Sequence, residues 1–188
     1  MNTVTQPMYK WQDLPWRTIE RVVFKLQKRI YQAAKTGDIR TVRKLQRLLL
    51  KSWSARCLAV RRVTQDNQGK NTAGVDGVKA LRPEQRLQMA QTLELSPKAQ
   101  PTRRVWIPKP GKSEKRALGI PTLHNRAEQA LAKLALEPEW EARFEPNSYG
   151  FRPGRSCHDA IDAIFKATCH KPKYVLDADI AQCFDHTS

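Results

Sequence analysis

The sequence predicts an α+β protein. A mostly helical N-terminal domain, residues 1–95, precedes a region, residues 96–188, holding a short antiparallel hairpin, further helices and a strand near its end. Three observations carry this. From residue 16 to residue 59 apolar side chains recur at steps of three or four, the repeat of a single helix face. From 103 to 120 two short β-prone runs flank a Pro-Gly turn. Tyr174 to Ile180 is an apolar, β-prone run, the composition of a buried strand, carrying Asp177 and Asp179.

The elements follow in chain order. With Asp13 as N-cap and Pro15 in the first turn, Trp16, Ile19, Val23, Leu26, Ile30 and Ala33 mark one face of a first helix, which Gly37 stops. Asp38 caps a second helix whose face is Val42, Leu45, Leu49, Ser52, Ala55 and Ala59. The two should pack as an antiparallel hairpin. Residues 65–77 are dense in turn formers and read as a loop, the best internal boundary. A shorter helix is expected from Pro83 to about Leu95, ended by Pro97 and Pro101.

Strands Arg103 to Ile107 and Arg116 to Ile120 come next. Thr122 or His124 then opens a helix with a core stripe of Ala127, Ala130, Leu131, Leu134 and Ala135, expected to end before Pro138. Glu145 to Ser156 is a loop with two aromatics, two arginines and two glycines, a composition able to stack on bases and approach a backbone closely. The capping box Ser156-x-x-Asp159 starts a helix to about Ala167, with Ile161, Ile164 and Phe165 inward.

Charge narrows the function. The chain has 34 Lys and Arg against 18 Asp and Glu, a net +16, and a pI near 10.1, which favours a polyanionic partner, RNA or DNA before membrane. Between Arg17 and Arg62 lie 14 Lys or Arg against only Glu20 and Asp38, so +12 of the excess sits in this stretch. Arg17, Arg21, Lys25 and Lys28 form one stripe; Arg40, Arg43, Lys44, Arg47 and Lys51 form another; Arg61 and Arg62 close the run. A solvated helix face is the ordinary reading of charge, but such faces mix signs. Like charges at i,i+4 cost about 0.2–0.5 kcal/mol per pair, and phosphate neutralisation compensates.

Other classes are set aside. No apolar run of about 18 residues exists to span a bilayer. Residues 1–16 lack a signal peptide's apolar core, so a cytoplasmic chain is expected. Cys57, Cys157, Cys169 and Cys183 form no C-x-x-C pair, and the four histidines share no ligand spacing, which points to reduced thiols and no Cys/His metal site. The basic hairpin tip, Lys109, Lys112, Lys115 and Arg116, is suited to a triphosphate or a phosphate backbone, although lysine also serves simply to protect a sheet edge. Strand alternation puts Asp177 and Asp179 on one face, where solvation or a hard cation such as Mg²⁺ would relieve their repulsion.

Five blocks in order are familiar together: Thr72-Ala-Gly-Val-Asp-Gly77, Ile107-Pro-Lys-Pro-Gly111, Arg116-Ala-Leu-Gly-Ile-Pro-Thr122, Ser148-Tyr-Gly-Phe-Arg-Pro-Gly-Arg-Ser156 and Asp179-Ile-Ala-Gln-Cys-Phe-Asp185. The series resembles the bacterial group II intron-encoded reverse transcriptase and maturase family over essentially the whole chain. The resemblance implies an N-terminal extension that grips intron RNA or template, then fingers, then the first strand of a palm. It makes Asp179 the first metal-binding catalytic aspartate, with the Ile180 carbonyl on the same Mg²⁺. Phe184 becomes the gate against a ribose 2′-OH, and Lys109 and Arg116 the holders of an incoming dNTP triphosphate. Asp177 and Asp185 have weaker claims, as a strand neighbour and a structural acid.

Two departures stand out. Ala117 replaces the family's usual proline beside Arg116, which relaxes the backbone there. No Tyr-x-Asp-Asp sequence occurs, and two-metal phosphoryl transfer needs those further carboxylates. The expectation is therefore an N-terminal piece of an RNA-directed DNA polymerase, inert alone, with Mg²⁺ held only in a complete palm. The alternative is a stand-alone basic module that helps intron RNA fold without catalysis.

Overall fold

The computed structural model describes residues 10–111 and 113–180. Helix α1, Trp16–Lys35, buries Ile19, Val23, Ile30 and Ala33, with Trp16 and Leu26 packed at the margin of the core, the face expected from the spacing. Its start differs from expectation. Asp13 lies in a 3-10 turn, Trp11–Asp13, and the first helical N–H groups, of Thr18 and Ile19, donate instead to the Pro15 carbonyl. Trp11 is the cause: its buried indole donates to Gln65 Oε1 at 2.8 Å and packs edge-on against Trp16, which pulls the preceding residues into their own turn.

Gly37 ends α1 with φ of 76°, the left-handed conformation glycine takes without strain. Asp38 then caps α2, Ile39–Lys51, accepting from Thr41 N–H at 3.0 Å, and the Thr41 side chain together with that N–H holds its carboxyl below the ordinary range. The helix does not continue to Ala59. Ser52 is extended (φ −69°, ψ 125°), and α3, Trp53–Arg61, starts afresh beyond it. Serine is a weak helix-interior residue, and the break lets α3 turn inward to bury Ala55, Cys57, Ala59 and Val60 among α1, α2 and its later neighbours. Burial of Ala55 and Ala59 was legible; the break was not.

A π turn, Arg62–Asp66, and a 3-10 turn, Gln68–Asn71, lead to α4, Pro83–Thr92, shorter than expected although Leu93 beyond it is fully buried. Strands β1, Arg103–Pro108, and β2, Lys115–Ile120, pair antiparallel with Arg103 opposite Ile120 and Pro108 opposite Lys115. Both faces of this hairpin are largely exposed.

Helix α5, Leu123–Arg143, corrects a second expectation, because it runs straight through Pro138. Proline at that position removes the bond to the Leu134 carbonyl, ordinarily a cost of about 3 kcal/mol. Here Gln27 of α1 reaches across and donates its side-chain amide to Leu134 O at 2.9 Å, while Gln46 of α2 donates to Ala135 O (3.3 Å) and Glu139 Oε2 (2.7 Å). Gln27 thus supplies the missing donor, and Gln46 adds a second tie to the next carbonyl. α5 lies against α1, α2 and α3, so the helical core extends past residue 95 to include it.

The chain divides into two compact units, Met1–Arg143 and Phe144–Ser188. In the second, α6, Cys157–Thr168, has the expected box: Asp159 N–H donates to Ser156 Oγ and Ser156 N–H to Asp159 Oδ2. Its stripe is not inward, however. Ile161, Ile164 and Phe165 are 63%, 63% and 66% exposed. Residues 174–180 form no strand, and Tyr174, Val175, Leu176 and Ile180 are exposed. A β run needs a neighbour for its N–H and C=O groups, and among the described residues the only ladder is β1 with β2.

Candidate nucleic-acid interface

The expected cations lie on helix surfaces, but the fold regroups them. Arg17, Arg21, Lys25, Lys28, Arg40, Arg43, Lys44, Arg47, Lys51 and Arg62 are exposed. Packing of α1 on α2 leaves a groove in two stretches sharing Lys25: Val22, Lys25, Leu26, Leu48, Lys51 and Ser52 line one, and Lys25, Lys28, Arg29, Gln32, Thr41 and Leu45 the other. Lys51 therefore faces α1, whereas Arg43 and Arg47 border a separate pocket against α5. The two stripes of the sequence become a ridge, α2, between two cation-edged hollows.

Ion pairs among the described residues engage cations such as Arg56, Arg61, Lys109, Lys133, Arg143 and Lys166, and none of the groove or ridge cations. Arg61 parts from its group. It meets Glu20 at 3.1 Å and Asp66 at 3.5 Å and lies over the Trp16 ring at 4.7 Å, a structural post rather than a free charge. Sequence reasoning missed Arg29, which shares the groove with Lys25 four residues earlier, a spacing that would have found it. It also missed Phe24, an exposed aromatic one turn from Arg21 and from Lys28 and able to stack on a base.

At the hairpin, Gly111 takes φ of 71° in the turn. Lys109 is tied to Glu114 at 2.8 Å, and this hydrogen-bonded lysine keeps the Glu114 carboxyl below the ordinary range. Arg116 is exposed across from Ile107, two positions before Lys109, so register brings both expected triphosphate residues to one end of the hairpin. Lys112 lies outside the described residues.

The 69–77 loop is fastened to this region. A Cβ on Gly74 would stand 2.7 Å from Thr122 Cα and 2.8 Å from Pro121 O, so only glycine permits the approach. Arg103 donates to Ala73 O at 3.0 Å, and Arg126 to Gly69 O at 2.9 Å and to Thr72 O. Burial draws the Arg126 guanidinium down, and Asp76 opposes that. Two of the five sequence blocks, 72–77 and 116–122, are thereby one structural joint.

In the second unit, Arg152 is buried and donates to Glu145 O and Ser148 O, both at 2.7 Å, with its guanidinium 5.4 Å from the Phe144 ring. That clamp sets the 145–156 loop, in which Phe151 is fully exposed at φ of 58°.

These blocks can be compared with known proteins. A model described as the N-terminal domain of reverse transcriptase matches residues 11–93, and one described as reverse transcriptase (RNA-dependent DNA polymerase) matches residues 107–188. The chain belongs to the reverse transcriptase family. It is 34% identical to protein YkfC of Escherichia coli (strain K12) over 175 residues, 87% of this chain and 45% of that protein. Maturase-like protein 1 of Euglena gracilis is 33% identical over 76% of this chain and 31% of its own length. The group II intron-encoded protein LtrA of Lactococcus lactis subsp. cremoris is 40% identical over 87 residues, 46% of this chain and 14% of its own. The chain spans less than half the length of each of these relatives, and they bear out the group II intron reverse transcriptase resemblance.

Reverse transcriptases use divalent metal ions, and the carboxylate of Asp179 and the Ile180 carbonyl are oxygen donors of the kind Mg²⁺ takes. Both residues are exposed in an irregular segment, as is Asp177. Among the described residues no three potential metal ligands gather there or elsewhere. Phe184 and Asp185 lie outside the described residues.

Proposed function

We propose that this reverse transcriptase chain grips structured RNA, of the intron or template kind, in the cationic groove between α1 and α2. The reading continues into catalysis. In a complete palm, Asp179 and the Ile180 carbonyl would hold Mg²⁺, which neutralises charge during phosphoryl transfer. Phe184 would exclude a 2′-OH, and Lys109 and Arg116 would take the dNTP triphosphate, Lys109 exchanging Glu114 for phosphate. The gripping part has a core of its own, while Tyr174, Val175, Leu176 and Ile180 are exposed, so RNA binding is the activity ascribed to the first unit and DNA synthesis to a complete palm.

The observation that carries the reading is the groove itself. Lys25, Lys28, Arg29 and Lys51 line one concave strip without a carboxylate partner among the described residues. Unneutralised cations so close are costly in isolation and favourable against phosphates. The test is the salt dependence of binding to a structured RNA. Replacing those four residues by Gln is expected to flatten the slope of log K against log salt by about three to four units. An unchanged slope would return the charges to solvent.

A further inference from the structure

The hollow on the other side of α2 has a different character. It encloses about 190 Å³, and its lining is Arg43, Gln46, Arg47 and Leu50 of α2, Leu95, and Ala132, Ala135 and Leu136 of α5. Floor and walls are mainly aliphatic, and the two arginines stand on the α2 side one helical turn apart. Leu136 and Leu95 are exposed, so the apolar lining is open to solvent. Gln46 is held rigidly, its amide nitrogen donating to Ala135 O and to Glu139 Oε2, which leaves its Oε1 as a fixed acceptor. The carboxylates next to this wall are occupied: Glu139 Oε1 takes Arg143 at 2.7 Å and Oε2 takes Gln46, Glu94 meets Arg56 at 3.3 Å and Glu137 meets Lys133 at 3.3 Å.

We propose that this pocket receives one unpaired, extruded nucleobase of the bound RNA, with Arg43 and Arg47 on the phosphates that flank it. The proposal rests on the RNA reading above and sharpens it from a polyanion to an RNA carrying a bulge. A groove that only tracks a backbone has no use for an aliphatic chamber, whereas a splayed base must bury a flat apolar face and finds its polar edge a fixed partner. The arginines are i,i+4 on α2, with Cβ atoms about 5–6 Å apart, a spacing suited to consecutive phosphates of one strand. A base already unpaired forgoes the unstacking cost a paired one would pay. An acidic amphipathic peptide could also meet an apolar floor with basic edges, but the pocket shares α2 with the cation ridge of the groove, which favours nucleic acid.

The experiment uses the whole chain and two RNA hairpins that differ only in a single unpaired adenosine, with 2-aminopurine replacing that adenosine in a parallel set. The bulged hairpin is expected to bind about tenfold or more tightly, from burial of the base's apolar face, with a change in 2-aminopurine fluorescence. Leu136→Glu places a carboxylate in an already exposed lining position. It should erase the bulge preference and the fluorescence change while the perfect hairpin binds with its affinity and salt slope unaltered. Ala132→Phe, which fills the chamber, should do the same. Equal affinity of the unaltered chain for the two hairpins would overturn the pocket and leave the groove standing. Failure to bind either hairpin would overturn the RNA reading itself. An acidic amphipathic peptide that binds the chain, is lost on Leu136→Glu and leaves hairpin binding untouched would assign the pocket to a protein partner and overturn the proposal.

Discussion

Helices α1 and α6 are both amphipathic by sequence, and they use that property in opposite ways. α1 buries Ile19, Val23 and Ile30 against α2, α3 and α5, while α6 leaves Ile161, Ile164 and Phe165 in solvent. The contrast extends to the units they belong to. In the first, even the carbonyl released by Pro138 finds a donor; in the second, an apolar run at 174–180 has no ladder among the described residues. Periodicity specifies which side chains a helix will bury and is silent on what will cover them. In this reverse transcriptase chain the first unit carries its own cover, and the described part of the second leaves its apolar side chains exposed.

The largest expected effect separates the two halves by function. In a chain completed with the rest of the polymerase, Asp179→Asn should lower DNA synthesis by about 10³-fold or more, since the charge that holds the ion supplies several kcal/mol. RNA affinity should stay as it was. Primer extension alongside filter binding reads both, and loss of RNA binding would join the two halves that the contrast divides.

Stability gives the next test. Leu131→Ala, at a fully buried site on α5, should cost about 2–5 kcal/mol by denaturant unfolding. Ile164→Ala on α6 should change stability by less than about 0.5 kcal/mol. A comparable loss at Ile164 would mean that α6 is covered in solution, and the contrast would fail.

Within the first unit, Gln27→Leu should cost about 1–3 kcal/mol, because the Leu134 carbonyl loses its donor in a poorly solvated place. Pro138→Ala restores a backbone N–H to that carbonyl, so the cost of Gln27→Leu should shrink in the double variant. Additivity would deny the exchange between side chain and backbone.

The smallest effect concerns thiols. Burial pushes the Cys57 thiol up to about 12, from an ordinary 9.0. The unfolded thiol ionises first, so this contribution to stability is whole below pH 9 and is lost progressively as pH rises from 9 to 12. A thiol reagent at pH 8 should modify exposed Cys157 and Cys169 promptly, and Cys57 only as fast as the first unit opens. Prompt labelling of Cys57 would show that the better-covered unit is loose.

What could be read from the sequence divides along the same line. Faces were legible where a residue's neighbours lie within one or two turns: Ile19 to Ala33, Val42 to Leu49, the Asp38 cap, the Ser156 box and the hairpin at Gly111. Positions decided at long range were not. Ser52 breaks a helix because α3 must enter the core, and Pro138 does not break one because Gln27, over a hundred residues earlier, takes the place of an N–H. The exposure of the cations was legible, but their grouping was not, since only packing reveals that Lys51 faces α1, Arg43 and Arg47 face α5, and Arg61 props Trp16. The five family blocks were legible as text, and the joint that Gly74 makes with Pro121 and Thr122 explains why two of them belong together.

The glutamine bridge to Leu134 also gives the chain a direction in time. Synthesis proceeds from the N-terminus, so α1 and its amide are in place before the ribosome delivers Pro138, and α5 can be completed on arrival. A circular permutant that made α5 first would present a helix halted at its proline, its last turn waiting for a partner still untranslated.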